Sequence, residues 1–205
     1  MSSTIEAWSR VTRWMNENTP DHADALNDPA TDEQIAQAEE KMGVRLPVEL
    51  KQLLKVNNGS TAKQRSIAGN ERYDIRGGGD YSPFPFDYAF CDVELICSLY
   101  TTNRKASIDL QEPGSRYEYW KEGWIPVFRT KEEHSGLFLD VSGLSGQDPA
   151  PVYEYGEESF PDLAFPSLAD YLSTMADALE GIRPFTIMGR RSPNFPVVQE
   201  GLIHW

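Results

Sequence analysis

The sequence predicts one α+β domain, in which N-terminal helices and a C-terminal helix pack on a central, mostly antiparallel sheet. Helix-type periodicity comes first along the chain, short strand-type segments follow, and the clearest helix comes after them. With 205 residues and 40% hydrophobic content, the chain is long enough for one core. We place the domain at residues 1–182 and treat residues 183–205 as a C-terminal extension that could contain a final strand.

Three N-terminal segments carry helix signals. Residues 4–18 have an apolar stripe at helical spacing, formed by Ile5, Trp8, Val11 and Met15. A second helix is predicted from a capping box at Thr31 and Gln34 to a left-handed cap at Gly43. Its buried face would contain Ile35, Ala38 and Met42, and its solvated face Gln37, Glu39 and Glu40. A third helix is predicted between Leu46-Pro47 and Asn57-Asn58-Gly59.

The middle of the chain carries the strand signals. Short strands are predicted near residues 66–68 and 73–76. Residues 88–105 fit either a strand or a helix, and we favour a strand to Cys91 followed by a helix capped by Asp92. Three more strands are predicted by short apolar segments bounded by turns, as in an antiparallel meander, at residues 124–128, 136–141 and 151–155.

The last helix has the most regular apolar face. Ser167 is a suitable N-cap, with Asp170 three residues later. The apolar residues on one face are Leu168, Tyr171, Leu172, Met175, Leu179 and Ile182. Gly181 and Pro184 are expected to end the helix.

The two cysteines indicate a reducing compartment. Cys91 and Cys97 would be about 20 Å apart on a strand or about 9 Å apart on a helix. A disulfide requires less than about 7 Å between the Cα atoms. We therefore expect buried free thiols. The first residues lack the pattern of a signal peptide, and no apolar run is long enough to cross a bilayer, so we expect a cytoplasmic protein.

The negative charge is concentrated in two segments. The net charge is −13, from 32 acidic and 19 basic residues. Residues 17–50 have a net charge of −7, and residues 154–180 hold seven acids with no Lys or Arg. Nucleic acid and anionic membrane are disfavoured as partners, because both require a basic surface. A basic protein partner is favoured. The alternative is that the acidic faces only keep the protein soluble.

No catalytic motif is recognisable. His22, His134 and His204 lie far apart in sequence, and neither a zinc-binding spacing nor a GxSxG elbow occurs. We therefore predict a protein that is not an enzyme and has no cofactor or metal. The alternative is an unrecognised hydrolase that uses a carboxylate pair or a metal held by distant residues.

The middle loops are rich in aromatic residues that either anchor a protein interface or cover the sheet as core. Combined with the acidic segments, they give a candidate set of partner-binding residues. The set is Asp32, Glu33, Glu39, Glu40, Tyr81, Trp120, Glu154, Glu157 and Glu158.

Residues 31–59 closely resemble the opening of the SUKH superfamily. The resemblance lies in an acidic helix before a Gly, then Leu-Pro, a second helix and Asn-Gly. Weaker matches follow in the expected order down to the final helix. The positions that would define the fold are Trp8, Gly43, Leu46, Pro47, Asn58, Gly59, Pro126, Gly136 and Asp140.

The resemblance implies a binding scaffold without enzymatic activity. The superfamily includes the fungal cell-wall assembly regulator and many bacterial immunity proteins, which neutralise a toxin, usually by binding it directly. A basic toxin domain is therefore the expected partner, since many nuclease toxins need basic surfaces that an acidic protein could cover. The alternative is a housekeeping regulator or scaffold.

Overall fold

Helices form at both ends of the chain, as the sequence predicts. The computed structural model describes residues 3–60, 64–67, 71–74, 82–111, 118–130, 135–144, 149–156, 159–187, 195–199 and 201–205. Within this part of the chain the helices, numbered in chain order, are α1 (Thr4–Asn18), α2 (Pro20–Ala23), α3 (Asp32–Met42), α4 (Val48–Leu54), α5 (Val93–Asp109) and α6 (Leu168–Leu179). None of them combines the length and the apolar character that a membrane span requires. The short helix α2 was not predicted.

The helix ends coincide with local caps. The side chains of Thr31, Asp92 and Ser167 each accept the backbone N–H of the third residue of the helix that follows. Gly43 has a φ of +71° and ends α3 in the left-handed conformation, as predicted. The expected strand-to-helix change is also confirmed, because a two-residue strand is followed by α5 after the Asp92 cap.

The central sheet is antiparallel throughout. The strands are β1 (Gln64–Ile67), β2 (Glu71–Asp74), β3 (Ala89–Phe90), β4 (Trp124–Arg129), β5 (Gly136–Asp140), β6 (Val152–Gly156), β7 (Ser159–Phe165), β8 (Val197–Gln199) and β9 (Leu202–His204). Strands β3 to β7 form one sheet in the order β3-β4-β5-β6-β7, while β1-β2 and β8-β9 are separate pairs. The predicted α+β class is confirmed. Strand β7 was not predicted and lies inside the second acidic segment.

The two faces of the sheet have different cores. Alternate residues such as Leu137 and Leu139 of β5 join the main core beneath the helices. Phe138 points the other way, into an aromatic cluster completed by Trp120, Trp124, Tyr155 and the partly buried Tyr153. The cysteines belong to the main core and are both free, as predicted.

The end of α6 differs from the prediction. Ile182 was expected on the buried face, but its side chain is 64% exposed. The helix ends at Leu179, and Gly181 has a φ of +72°, so the chain changes direction before Ile182. The prediction for Ile182 is wrong because helical periodicity does not continue through a left-handed residue.

The chain after α6 packs on the main core. Ile203 of β9 is fully buried, and the Trp205 indole N–H donates to the Pro83 carbonyl over 3.1 Å. The ring centroids of Phe185 and Trp205 are 5.5 Å apart. The division at residue 182 stays a prediction.

The Asn-Gly block connects four parts of the fold. Asn57 Oδ1 accepts the indole N–H of Trp8 over 2.9 Å, and Asn58 Oδ1 accepts the Val93 N–H over 2.9 Å at the start of α5. The Asn58 N–H donates to the Asp28 carbonyl over 3.2 Å. Gly59 has a φ of +74°. These contacts tie α1, the turn after α2, the end of α4 and α5 together.

The later fold-defining positions also make structural contacts. A Cβ at Gly136 would lie 2.1 Å from the Phe128 carbonyl oxygen, so β4 and β5 approach closely there. Pro126 lies beside a register shift of β4, where a missing N–H is tolerated. The carboxylate of Asp140 accepts the indole N–H of Trp124 over 3.2 Å.

Candidate protein-binding surface

Helix α3 presents part of the first acidic segment to solvent. Asp32, Glu33 and Glu40 are exposed on it. Glu33 accepts a hydrogen bond from the Gln37 amide over 3.2 Å, and Asp32 forms an ion pair with Lys55 at the end of α4. Glu33 and Glu40 therefore remain available as surface anions.

Glu39 is buried, which corrects its placement on the solvated face and at a partner surface. Its side chain is 5% exposed, and it lies 2.8 Å from the Arg45 guanidinium and 3.1 Å from the Lys51 ammonium. It also accepts the Leu46 N–H over 2.8 Å. Burial alone would raise the pKa of Glu39, but the hydrogen bonds from Arg45, the Leu46 N–H and Lys51 hold that pKa below its ordinary value. Glu39 therefore fixes the α3–α4 turn.

Lysines just outside the first acidic segment neutralise part of it. Lys51 of α4 and Lys55, the C-cap residue of the same helix, lie about one turn apart and pair with Glu39 and Asp32 of α3. The net charge of residues 17–50 therefore overstates the negative field at this surface.

The second acidic segment is partly neutralised in the same way. Arg10 of α1 lies 2.6 Å from the Asp177 carboxylate of α6, and its Nε donates to Glu180 over 3.1 Å. Arg183 also pairs with Asp177, at 2.6 Å. The hydrogen bonds from Arg10 to Glu180 and Asp177 raise the pKa of the guanidinium above its ordinary value. These acids join α1 to α6, and ion pairs within the domain neutralise much of their charge.

We expect Arg10→Gln to lower the free energy of unfolding by about 1 kcal/mol at low salt, because a partly exposed pair contributes at most about that much. Arg13→Gln is the matched control, since it removes the same charge from an exposed position of α1. Urea denaturation near 0.05 M and near 1 M salt measures both variants. The difference in lost unfolding free energy between the two variants should become smaller at about 1 M salt, because the screening length is then about 3 Å. Equal losses for both variants would contradict the role of Arg10.

Trp120 is also buried, so its placement at a partner surface is corrected. Its side chain is 2% exposed and its indole N–H donates to the Trp124 carbonyl over 2.9 Å. Its backbone N–H donates to the Ser107 hydroxyl over 3.0 Å, which holds the loop against α5. Trp120 therefore covers the outer face of the sheet as core. Tyr81, Glu157 and Glu158 lie outside the described residues.

Strands β6 and β7 carry acids and exposed apolar side chains, with Leu163 on the opposite face of the sheet from Glu154 and Asp162. We call Glu154, Phe160, Asp162 and Leu163 the β6–β7 edge. Glu154 and Asp162 are directly opposite each other in the antiparallel register. Phe160 is 76% exposed and Leu163 is 37% exposed. No Lys or Arg occurs in residues 132–182, so neither β5, β6, β7 nor α6 supplies a cation to this edge.

A buried tyrosine orients one of these acids. The hydroxyl of Tyr88, which is 3% exposed, donates to Glu154 over 2.7 Å. This hydrogen bond positions the carboxylate of Glu154. Of the predicted partner-binding residues, Glu154 thus lies on β6, next to the edge strand β7, whereas Asp32, Glu33 and Glu40 lie on α3.

Phe160 and Asp162 were missed as candidate site residues. The signal was present in the sequence, since Phe160 stands next to Pro161 inside a segment that has four acids between residues 154 and 162 and no base. An aromatic residue surrounded in sequence by acids is not expected to belong to a buried apolar segment. The strand that carries it could not be recognised, because Pro161 and Asp162 both disfavour a strand.

The acidic side chains of the described residues do not form a metal-binding cluster. In the ranges that the structure covers, no three His, Cys, Asp or Glu side chains converge on a point where a metal ion could be held. Exposed carboxylates beside an exposed aromatic ring can bind cationic and apolar side chains.

Comparison with known proteins places this fold in a family. The model of the SMI1 / KNR4 family (SUKH-1) matches residues 29–174, from just before α3 into α6. No individual curated protein matches the chain.

Proposed function

Because the chain belongs to the SMI1 / KNR4 family (SUKH-1), we propose that it is a protein-binding domain without enzymatic activity that neutralises a toxin domain by binding it. The family membership carries this proposal. The matched region contains α3, α4, α5 and the whole five-stranded sheet. The protein acts in the cytoplasm as an immunity protein.

The charge of the chain supports a basic partner. The net charge is −13, and 51 consecutive residues, 132–182, contain no Lys or Arg. A focused negative field accelerates encounter with a positive surface and disfavours contact with nucleic acid. Toxins that cleave nucleic acid have the positive surface that such a field attracts.

Co-purification from the native host tests the proposal. We expect a toxin-like protein, encoded near this gene, to co-purify with this chain near 0.05 M salt. Less of it should be retained near 1 M salt, because charges more than about 3 Å apart are then screened. Co-expression of this chain should restore growth to cells that produce that toxin.

Two results would count against the immunity function. One is the absence of any toxin-like partner or neighbouring gene. The other is a deletion that disturbs growth when no toxin is present, which would favour a housekeeping regulator or scaffold. An affinity that does not change with salt would contradict steering by the acidic surface.

A further inference from the structure

A groove between α3 and α5 carries basic side chains in a strongly acidic protein. We call it the α3–α5 groove, and its walls include Lys41 and Met42 of α3 and Arg104, Lys105 and Ile108 of α5. Its volume is about 530 Å³, within the range of about 300–1,000 Å³ that is typical of ligand sites.

Cations outnumber acids in this groove by three to two, since Asp109 and Glu122 also line it. Lys41 and Lys105 are exposed, and neither forms an ion pair with a residue in the described ranges. Their ammonium groups therefore remain available to a ligand. Other basic side chains of the described residues pair with acids, as do Arg10, Arg45, Lys51, Lys55 and Arg183.

The third cation of the groove is held in place. Nη1 of Arg104 donates to the Trp120 carbonyl over 2.5 Å, and the Trp120 N–H donates to the Ser107 hydroxyl over 3.0 Å. A guanidinium has five N–H donors, so one bond to a carbonyl leaves others for a carboxylate. Because the side chain is already ordered, it loses less entropy when it binds a ligand.

An exposed aliphatic side chain lies beside the cations. Ile108 is 64% exposed and is four residues after Arg104, so both lie on the same face of α5. A free inorganic anion would leave Ile108 in water. A protein segment that carries an acidic and an aliphatic side chain side by side would contact both the cations and Ile108, and it is the better fit to this groove.

A second copy of this chain is a poor occupant. The base-free acidic segment forms β6, β7 and α6, and β7 is the last strand of the sheet, whereas α5 contacts β4 near the other end. A copy that placed this segment in the groove would leave its own groove open to the next copy, so association would extend into a filament. Two chains of charge −13 also repel each other.

We propose that the α3–α5 groove selects the toxin by binding an acidic side chain, next to an aliphatic one, that lies beside the basic surface of the toxin domain. This inference rests on the proposed function, since it assigns a specificity element to toxin binding. An acidic field by itself attracts any basic protein. Three cations in the groove repel a partner that is basic throughout and favour one whose charges are mixed in the matching arrangement.

The test uses the partner identified by co-purification, produced from its own gene and purified, and calorimetry measures its affinity for the full chain. Lys41→Glu and Lys105→Glu should each weaken binding by about tenfold. Arg13→Glu is the matched control, because it makes the same charge change at an exposed position of α1. It should leave the affinity unchanged or raise it. Attraction by the acidic field alone predicts that all three substitutions tighten binding.

Two further measurements do not depend on a new negative charge in α5. Ile108→Ala should weaken binding by about fivefold, since it removes part of an aliphatic contact. Acylation of lysines in the native chain, followed by mass spectrometry, should proceed more slowly at Lys41 and Lys105 in the complex than in the free protein.

The outcomes separate this inference from the proposed function. If Lys41→Glu and Lys105→Glu bind the toxin as tightly as the wild type or more tightly, the groove is not part of the interface and the toxin-binding function stands. If the wild-type chain binds no toxin-like protein, both fall together. Dimerisation of the wild-type chain that Lys105→Glu abolishes would assign the groove to a second copy and overturn the inference.

Discussion

Gly59→Ala is expected to lower the free energy of unfolding by about 4 kcal/mol, whereas Gly43→Ala should lower it by about 1 kcal/mol. Both glycines have positive φ, +74° and +71°, so alanine meets the same backbone penalty at each. A Cβ at Gly43 would meet no atom within 4 Å. A Cβ at Gly59 would lie 2.4 Å from the Asp92 nitrogen.

The difference arises because the obstacle at Gly59 is backbone. The other close atoms are the Asp92 Cα and the Cys91 carbonyl carbon, both 2.8 Å from the new Cβ. Neither can rotate away, so the start of α5 would have to move. Asn58 binds the Val93 N–H at the same place, so this hydrogen bond would be strained as well.

Urea denaturation of the wild type and both variants measures these losses. A second readout is the reaction of Cys91 with a thiol reagent in native buffer. Its side chain is fully buried beside Gly59, so Gly59→Ala should accelerate labelling while Gly43→Ala should not. Equal costs for the two substitutions would show that the close approach to α5 contributes nothing.

The second large effect concerns two glutamates with opposite pKa shifts. Glu39→Gln is expected to cost about 2 kcal/mol at neutral pH, the usual contribution of hydrogen bonds to a charged group. Glutamine keeps an acceptor for the Leu46 N–H but loses the attraction to Arg45 and Lys51. Glu49→Gln should cost less than about 1 kcal/mol or stabilise the protein. Burial raises the pKa of Glu49, with a smaller contribution from Asp170, and hydrogen bonds from the Ala150 N–H and Thr4 oppose the rise.

The two substitutions should respond to pH in opposite directions. The folded pKa of Glu39 is depressed, so its contribution is present above the ordinary carboxyl pKa of about 4.3 and is lost as pH falls through the folded value. The cost of Glu39→Gln therefore shrinks on acidification. The folded pKa of Glu49 is raised, so the contribution of Glu49 to stability is present below about 4.3 and is lost as pH rises through the folded value. The cost of Glu49→Gln therefore falls as pH rises.

Urea denaturation of both variants and the wild type between pH 7 and about pH 3 measures these trends, since this range spans the ordinary carboxyl pKa. Glu40→Gln is the control for Glu39, because it removes a charge from an exposed position of the same helix. If the costs of Glu39→Gln and Glu49→Gln changed with pH in the same direction, the opposite pKa shifts of the two glutamates would be contradicted.

The candidate surface could be predicted only in part. Asp32, Glu33 and Glu40 are exposed as expected, and Glu154 lies half-buried on β6, next to the edge strand. Whether an acid is available to a partner depends on bases that reach it from elsewhere. Arg10 is 167 residues from Asp177 in sequence, and no local pattern predicts that they pair. The exposure of Phe160 likewise depends on where β7 lies in the sheet.

The α+β class, both ends of α1 and α3, the N-terminal caps of α5 and α6, and the free cysteines could be predicted from the sequence. Each of these follows from residues close together in the chain, such as the pairing of Thr31 with Gln34 or the turn at Gly43. The burial of Glu39 and Trp120, the exposure of Ile182 and the position of β7 at the edge of the sheet could not be predicted, because they depend on the tertiary structure. Caps and periodicity act over one or two turns, whereas burial and strand pairing depend on segments distant in the chain.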